Sequence, residues 1–179
     1  MPANSVIDFW FEELSEADWW RVDPALDEHI AALFKPLLLS ARRGELFLWR
    51  QCARGRLAEI IVLDQFSRNI FRGSAEAFAA DGMALVLAQE AVRCGAAAEL
   101  KPQQRAFLYM PYMHSESALI HTQALQLFSA PGLEDNLDFE LKHKAIIDKF
   151  GRYPHRNIAL GRESTAAELA FLKEPGSSF

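Results

Sequence analysis

The sequence predicts an all-α fold of about seven or eight helices joined by short connections. No stretch shows the alternation of apolar and polar residues that is typical of a β-strand. Capping residues stand before periodic apolar stretches, and glycine or proline follows them, along the whole chain. Because short connections favour antiparallel packing of successive helices, we expect one domain over residues 1–173 and a frayed tail over 174–179.

Each predicted helix has its own boundary residues. Ser5 and Asp8 match a capping box at the first helix. Asp23 followed by proline caps the second, which should reach Gly44 and be kinked or split by Pro36. The other predicted helices run, in chain order, from Leu57 to Phe71, from Ser74 to Cys94 with a break near Asp81, from Pro102 to about Phe128, from Asp135 to Gly151, and from Thr165 through a second capping box with Glu168.

Composition and charge exclude several classes of protein. Half of the 179 residues are hydrophobic, the formal net charge is -5, and no apolar run reaches the length of a membrane span. The first residues lack a secretory signal, and the two cysteines are isolated, so we expect a cytoplasmic protein. The acidic charge disfavours a nucleic-acid partner, and the arginine-rich segment 41–56 is predicted to be a solvated connector with Trp49 in the core.

The helix predicted at 57–71 carries charged residues among apolar ones. Asp64 and Arg68 are four residues apart on one face, and the opposite face is also apolar, which is typical of a buried helix. Arg72 lies one turn further on. Two interpretations stay open for this pair, an ion pair that braces helix packing and part of a ligand site.

The helix predicted over 102–128 carries His114, Glu116 and His121, with Pro111 expected to bend it. His114 and His121 share one face but are seven residues apart, or about 10 Å along a helix, which is too far for one metal ion. The sequence has no ligand set with metal-binding spacing, so neither a metal nor another cofactor is expected.

A cationic stretch, "FGRYPHRNIALGR", lies between Gly151 and the last predicted helix. Arginine and histidine are good donors to the free carbonyl groups at a helix end, so part of the stretch is expected to be structural. It holds more donors than one helix end requires, which indicates an anionic or carboxylate partner, either a protein carboxylate such as Asp64 or Glu116 or a ligand. The donors are Arg152, His155, Arg156 and Arg162.

Three stretches, "LDQFSRNIFRG", "FLYMPYMHSE" and "FGRYPHRN" with "LGRESTAAELAFL", resemble the bacterial domain-of-unknown-function family 924 over nearly the whole chain. The resemblance implies an all-helical, tetratricopeptide-like arrangement, an α-α superhelix, and implies no particular activity. The chain departs from the family pattern at Ser67, Tyr153 and Ser117, where proline, phenylalanine and an acid are usual. The residues that the resemblance highlights are Asp64, Gln65, Arg68, Asn69, His114, Ser115, Glu116, Arg152, His155, Arg156 and Asn157.

These observations favour a helical binding module with a polar site for an anionic or carboxylate-bearing small molecule or peptide. An alternative is a metal-independent enzyme in which a histidine acts as acid and base and arginines clamp an oxyanion or phosphate. A second alternative is a purely structural polar core in a scaffold that binds a protein partner. The candidate catalytic residues are His114, Glu116 and His155, and the candidate ligand-binding residues are Asp64, Gln65, Arg68, Asn69, Arg72, Arg152, Arg156 and Asn157.

Overall fold

The structure, a computed structural model, describes residues 1–177, and within that range it contains helices and no β-strands. Four 3-10 turns connect some of the helices. The nine helices are α1 (Ala3–Asp8, continued by a π-helical turn at Phe9–Glu13), α2 (Glu16–Trp20), α3 (Pro24–Arg42), α4 (Ala53–Ile61, a π-helical turn at Val62–Phe66, then Ser67–Ile70), α5 (Asp81–Arg93), α6 (Pro102–Met113), α7 (Ala118–Phe128), α8 (Glu134–Phe150) and α9 (Ala166–Phe171).

Helix α4 is the centre of the core. Every residue from Leu57 to Ser67 is buried, and the helix packs against α1, α3, α5 and α6. The preceding 3-10 turn also packs tightly on α4, because a Cβ atom at Gly55 would lie 1.9 Å from the Trp49 carbonyl oxygen. A helix that is apolar on both sides is thus enclosed, as its sequence predicts. Polar side chains on α4 must therefore find partners inside the protein.

Several predicted helix boundaries are confirmed. Asp23 accepts hydrogen bonds from the backbone of Ala25 and Leu26 at the start of α3. Gly151 ends α8 in the left-handed conformation, with φ of 69°, which glycine adopts without strain. Thr165 and Glu168 form the capping box of α9.

The helix predicted over 102–128 is in fact two helices, and this correction determines the site. Helix α6 ends at Met113, two residues after Pro111, and α7 begins at Ala118. The break is held by a hydrogen bond from the backbone of Ser117 to the Ser115 hydroxyl. His114 and Glu116 therefore lie at a helix end and in a connection, and the predicted common face with His121 does not exist.

Other differences are smaller. The first helix starts at Ala3, before Ser5, and the short helix α2 was not predicted. Pro36 lies inside α3 without splitting it. The predicted break near Asp81 is confirmed, because α5 starts at Asp81 and the part before it forms only a 3-10 turn at Ala75–Ala77. Helix α2 and the break after Met113 account for the nine helices within residues 1–177, where about seven or eight were predicted.

The predicted frayed tail lies only partly within the described residues, because 178 and 179 fall outside them. Before that point, the Ser177 hydroxyl donates a hydrogen bond to the Leu172 carbonyl. Within residues 1–177, none of the helices combines the length and apolar character that crossing a bilayer requires.

Candidate functional site

Asp64 lies on α4 and is the most deeply buried acid of the candidate site, with 1% of its side chain exposed. Its Oδ1 atom lies 3.0 Å from an Arg68 nitrogen and 2.8 Å from His114 Nδ1. Gln65 donates to the other carboxylate oxygen at 2.6 Å. Burial by itself would raise the pKa of Asp64, but Arg68 and His114 hold it well below its ordinary value. Asp64 is therefore an ionised carboxylate.

Arg68 joins two acids that are distant in the sequence. It reaches Asp64 one turn back on α4 and makes two parallel 2.9 Å hydrogen bonds to Asp81 at the start of α5. Burial disfavours the cation, but the two carboxylates outweigh that effect and raise the pKa of Arg68. A bidentate pair of this kind fixes the guanidinium plane, so Arg68 is held rigidly.

One ring nitrogen of His114 makes a hydrogen bond, and the other makes none within residues 1–177. Because ionised Asp64 can only accept hydrogen bonds, Nδ1 of His114 carries a proton and donates it. Burial and the charge of Arg68 lower the pKa of His114, which keeps the ring neutral at pH 7. In the neutral ring, Nε2 then carries a lone pair, and it has no hydrogen-bond partner among residues 1–177.

Arg156 is a buried cation with incomplete pairing. Only 7% of its side chain is exposed, and its guanidinium lies between the rings of Phe78 and Tyr153, 4.7 and 4.5 Å from their centres. Its contact with Asp81 is long, at 3.4 Å, and its Nε atom has no partner in the described part of the chain. Burial and the charge of Arg68 lower the pKa of Arg156. The cation is thus less well compensated than Arg68.

His114 and Arg156 line one cavity of about 290 Å³. Both polar and apolar side chains line the cavity. The remaining lining residues are Phe78, Asp81, Gly82, Leu85, Pro111, Ser115, Glu116 and Leu160.

Glu116 and Arg162 fix the cationic stretch to the break between α6 and α7. Arg162 makes two hydrogen bonds to the Glu116 carboxylate, at 2.7 and 2.9 Å, and a third to the Asn157 side chain. Glu116 also accepts from the backbone of Tyr153. Burial opposes ionisation, but these donors lower the pKa of Glu116. Glu116 therefore positions the loop that carries Arg156.

A second histidine–acid pair lies behind the cavity. His121 Nδ1 is 2.7 Å from Glu140, and His121 Nε2 is 2.8 Å from the Ser115 carbonyl oxygen. The Tyr153 hydroxyl, 3.2 Å from the same ring nitrogen, donates to the Met113 carbonyl. Both residues of the pair are fully buried. Every nitrogen of His121 is therefore engaged.

The three sequence stretches meet at this place, but the predicted site residues do not all contribute. The His155 ring lies 5.6 Å from the Tyr153 ring at a tilted angle, and its buried Nδ1 has no partner within residues 1–177. Arg152 pairs with Glu168 in the capping box of α9, at 2.6 and 2.9 Å, and is held as structural support. Asn69 and Arg72 both bind Asp27 on α3, away from the cavity.

Sequence reasoning missed the residues that connect the stretches. Asp81 binds both Arg68 and Arg156, yet in the sequence it indicates only a helix boundary. An acid at a first helical position is common, so the pattern holds no signal for a partner 75 residues away. Tyr153 and Phe78, which enclose Arg156, look like ordinary core aromatics in the sequence.

One cavity is therefore lined by an arginine, a neutral histidine and apolar side chains. Residues 1–177 contain no group of three or more histidine, cysteine, aspartate or glutamate side chains placed to hold a metal ion. An arginine in such a cavity can make charge-assisted hydrogen bonds, which are stronger than those between neutral groups.

Comparison with known proteins gives a family and a fold. The chain is similar to the solved structure of a protein of unknown function, ATU0120, from Agrobacterium tumefaciens, with 36% sequence identity, a TM-score of 0.91 and 96% of each chain covered. Among curated proteins, no sequence matches. The sequence profile of the bacterial proteins of unknown function called DUF924 matches residues 6–176. On the strength of a match over nearly its whole length, the chain belongs to the DUF924 family.

Proposed function

We propose that the cavity binds a small molecule through a carboxylate, with Arg156 as the cation that receives it. The observation that carries this proposal is the incomplete pairing of Arg156. Its side chain is almost fully buried, its hydrogen bond to Asp81 is 3.4 Å long, and its Nε atom lacks a partner among the described residues. A buried cation in this condition gains more from an incoming anion than a paired one does.

The uneven pairing of the local charges supports a monoanion over a dianion. The carboxylates of Asp64, Asp81 and Glu116 stand against the guanidinium groups of Arg68, Arg156 and Arg162, and His114 is neutral. Arg68 and Arg162 are each saturated by carboxylates, so one cation is left partly uncompensated. Because the three carboxylates and the three guanidinium groups already balance in number, a monoanion adds one negative charge beside Arg156, whereas a phosphate dianion would add two with no further cation to meet them.

The test is thermal unfolding in the presence of acetate, with chloride at the same ionic strength as the reference. A ligand present at ten times its Kd stabilises the native state by about 1.4 kcal/mol, so the melting temperature of the wild-type protein should increase. Arg156→Gln should lose this increase. Arg152→Gln is the matched control, because Arg152 lies in the same stretch and is already paired with Glu168.

Each protein is compared with its own unliganded midpoint, so a change in basal stability does not affect the result. If acetate fails to shift the wild-type protein beyond the chloride reference, the proposal is wrong. It is also wrong if Arg156→Gln keeps the shift.

A second candidate function, a metal-independent enzyme, is supported by the Asp64–His114 pair. An ionised acid that holds Nδ1 leaves Nε2 as a general base, and this base lines the same cavity as Arg156. In a hydrolysis, Nε2 would take a proton from water while the water oxygen bonds to a carbonyl carbon, and Arg156 would stabilise the resulting oxyanion. Collapse of this intermediate would break the bond to the leaving group, which would take the proton back from Nε2.

Ester hydrolysis with p-nitrophenyl acetate tests the enzymatic candidate. The expected result is release of p-nitrophenol above a protein-free blank, lost in His114→Phe and retained in His121→Phe if that variant folds. Equal release by wild type and His114→Phe would remove His114 as the base and with it this candidate.

The third alternative, a purely structural polar core, receives less support. A closed network would leave neither the free Nε2 of His114 nor the unpaired Nε of Arg156 beside a cavity. A peptide carboxylate or a partner protein's terminal carboxylate would present the same chemistry to Arg156 as a small molecule. The limited cavity volume favours the small molecule.

We also propose an arrangement of the helices and a cellular location for the protein. Successive packing of α6 on α7 and of α7 on α8 supports a tetratricopeptide-like series of antiparallel pairs. Cys52 and Cys94 are free and exposed, which supports residence in a reducing bacterial cytoplasm.

A further inference from the structure

The polar wall of the cavity contains one acceptor that a bare carboxylate leaves unused. His114 Nε2 carries a lone pair, because Nδ1 donates to ionised Asp64. A carboxylate is itself an acceptor and gains nothing from this nitrogen. A ligand that fills the cavity with no donor would leave a partly buried polar atom without a partner, which costs binding energy.

The cavity has no free anion to receive a ligand cation. Both carboxylate oxygens of Asp81 accept hydrogen bonds from Arg68, and one of them also contacts Arg156. Both oxygens of Glu116 accept from Arg162. An ammonium group on the ligand would therefore meet no unpaired carboxylate among the described lining residues, so a neutral donor suits the site better than a charged one.

We propose that the ligand is a small hydroxycarboxylic acid, its carboxylate bound by Arg156 and its hydroxyl donating to Nε2 of His114. The remaining carbon atoms face Phe78, Leu85 and Leu160. This inference rests on the carboxylate site proposed above and adds the substrate class. It assigns His114 a binding role that does not depend on catalysis.

Calorimetric titration of the wild-type protein with matched acids tests the inference. The probes are propionate, lactate, 3-hydroxypropionate, 2-methoxypropionate, 3-methoxypropionate and alanine at constant ionic strength and pH 7.5. At least one hydroxy acid should bind about tenfold more tightly than propionate, as expected for one added hydrogen bond to a partly buried acceptor. The methoxy analogue of that acid should lose the gain, because it keeps the oxygen but has no proton to donate. Alanine should bind more weakly than the preferred hydroxy acid.

The protein side of the test uses His114→Phe, which removes the acceptor and keeps a ring. In this variant the hydroxy acid and propionate should bind equally. The methoxy comparison on the wild-type protein gives the same information without any substitution, so the test does not depend on the stability of this variant.

The outcomes separate this inference from the proposal on which it rests. If propionate binds and hydroxy acids bind no better, or if a methoxy analogue keeps the full gain, the hydroxycarboxylate inference is overturned and the carboxylate site stands. If none of the acids binds, both are overturned.

Discussion

His114 and His121 are seven residues apart, and each pairs through Nδ1 with a buried acid, but their surroundings differ on the other side of the ring. His121 is fully buried, and its Nε2 faces the Ser115 carbonyl and the Tyr153 hydroxyl. His114 is 16% exposed, and its Nε2 has no partner within residues 1–177. The two pairs show that the same chemical motif is closed in one place and open in the other.

The break between α6 and α7 causes the difference. On one continuous helix, seven residues amount to almost two turns, and both rings would point the same way. Because α6 ends at Met113 and α7 begins at Ala118, His114 turns toward α4 and His121 toward α8. The Ser115 carbonyl, released from helical hydrogen bonding by the break, becomes the second partner of His121.

The largest predicted effect is the difference in stability cost between substituting His121, in the closed pair, and substituting His114, in the open pair. His121→Ala should lower the free energy of unfolding by about 3–5 kcal/mol, because it breaks a fully buried pair and leaves Glu140 and the Ser115 carbonyl without a partner. His114→Ala should cost only about 1 kcal/mol, because Asp64 keeps Arg68 and Gln65. Urea unfolding followed by circular dichroism measures both. A cost for His114→Ala equal to or above that of His121→Ala would contradict the distinction.

A third histidine, His155, sharpens the comparison because it has no carboxylate hydrogen-bonded to it among the described residues. Burial and the charge of Arg156 lower the pKa of His155 to about 4. Since the folded protein then binds the proton more weakly than the unfolded chain, stability is complete above about pH 6.5 and is lost as the pH falls toward 4.

His155→Phe removes this titration and keeps a ring beside Tyr153. The difference in unfolding free energy between pH 8 and pH 5 should be about 2 kcal/mol smaller in the variant than in the wild type. Urea titrations of both proteins at the two pH values give this difference directly. An unchanged difference would mean that His155 does not resist protonation in the folded protein.

How much the sequence could predict depends on how far apart along the chain two contacting residues are. The Asp64–Arg68 contact was predictable because a helix places residues four apart on the same face, and the capping box of α9 was predictable for the same local reason. The burial of α4 followed from its two apolar faces. These features depend on neighbours within one or two turns.

The features that create the site depend on distant neighbours. Asp81 and Arg156 are 75 residues apart, and Glu116 and Arg162 are 46 apart, so no periodic pattern connects them. The end of α6 was missed because no glycine or cap marks it, and the helix continues past Pro111 before it stops. The sequence alone therefore could not show which arginine of the cationic stretch is paired with a protein carboxylate and which lines the cavity with incomplete pairing.

The smallest predicted effect is the difference in stability between variants of two arginines from the cationic stretch. Arg162 is paired with a carboxylate and Arg156 is incompletely paired, so they repeat the comparison of His121 with His114. Arg162→Gln should cost about 1 kcal/mol, because two charge-assisted hydrogen bonds to half-buried Glu116 are lost while the Tyr153 backbone still donates to that acid. Arg156→Gln should cost less than Arg162→Gln, because burial and the charge of Arg68 already disfavour the Arg156 cation and offset the ring contacts that the substitution removes. Both substitutions remove one positive charge, so their long-range electrostatic effect is matched. Urea unfolding without added carboxylate measures the two costs. If Arg156→Gln proves the more destabilised variant, Arg156 is structural support like Arg162, and the open half of the comparison is lost.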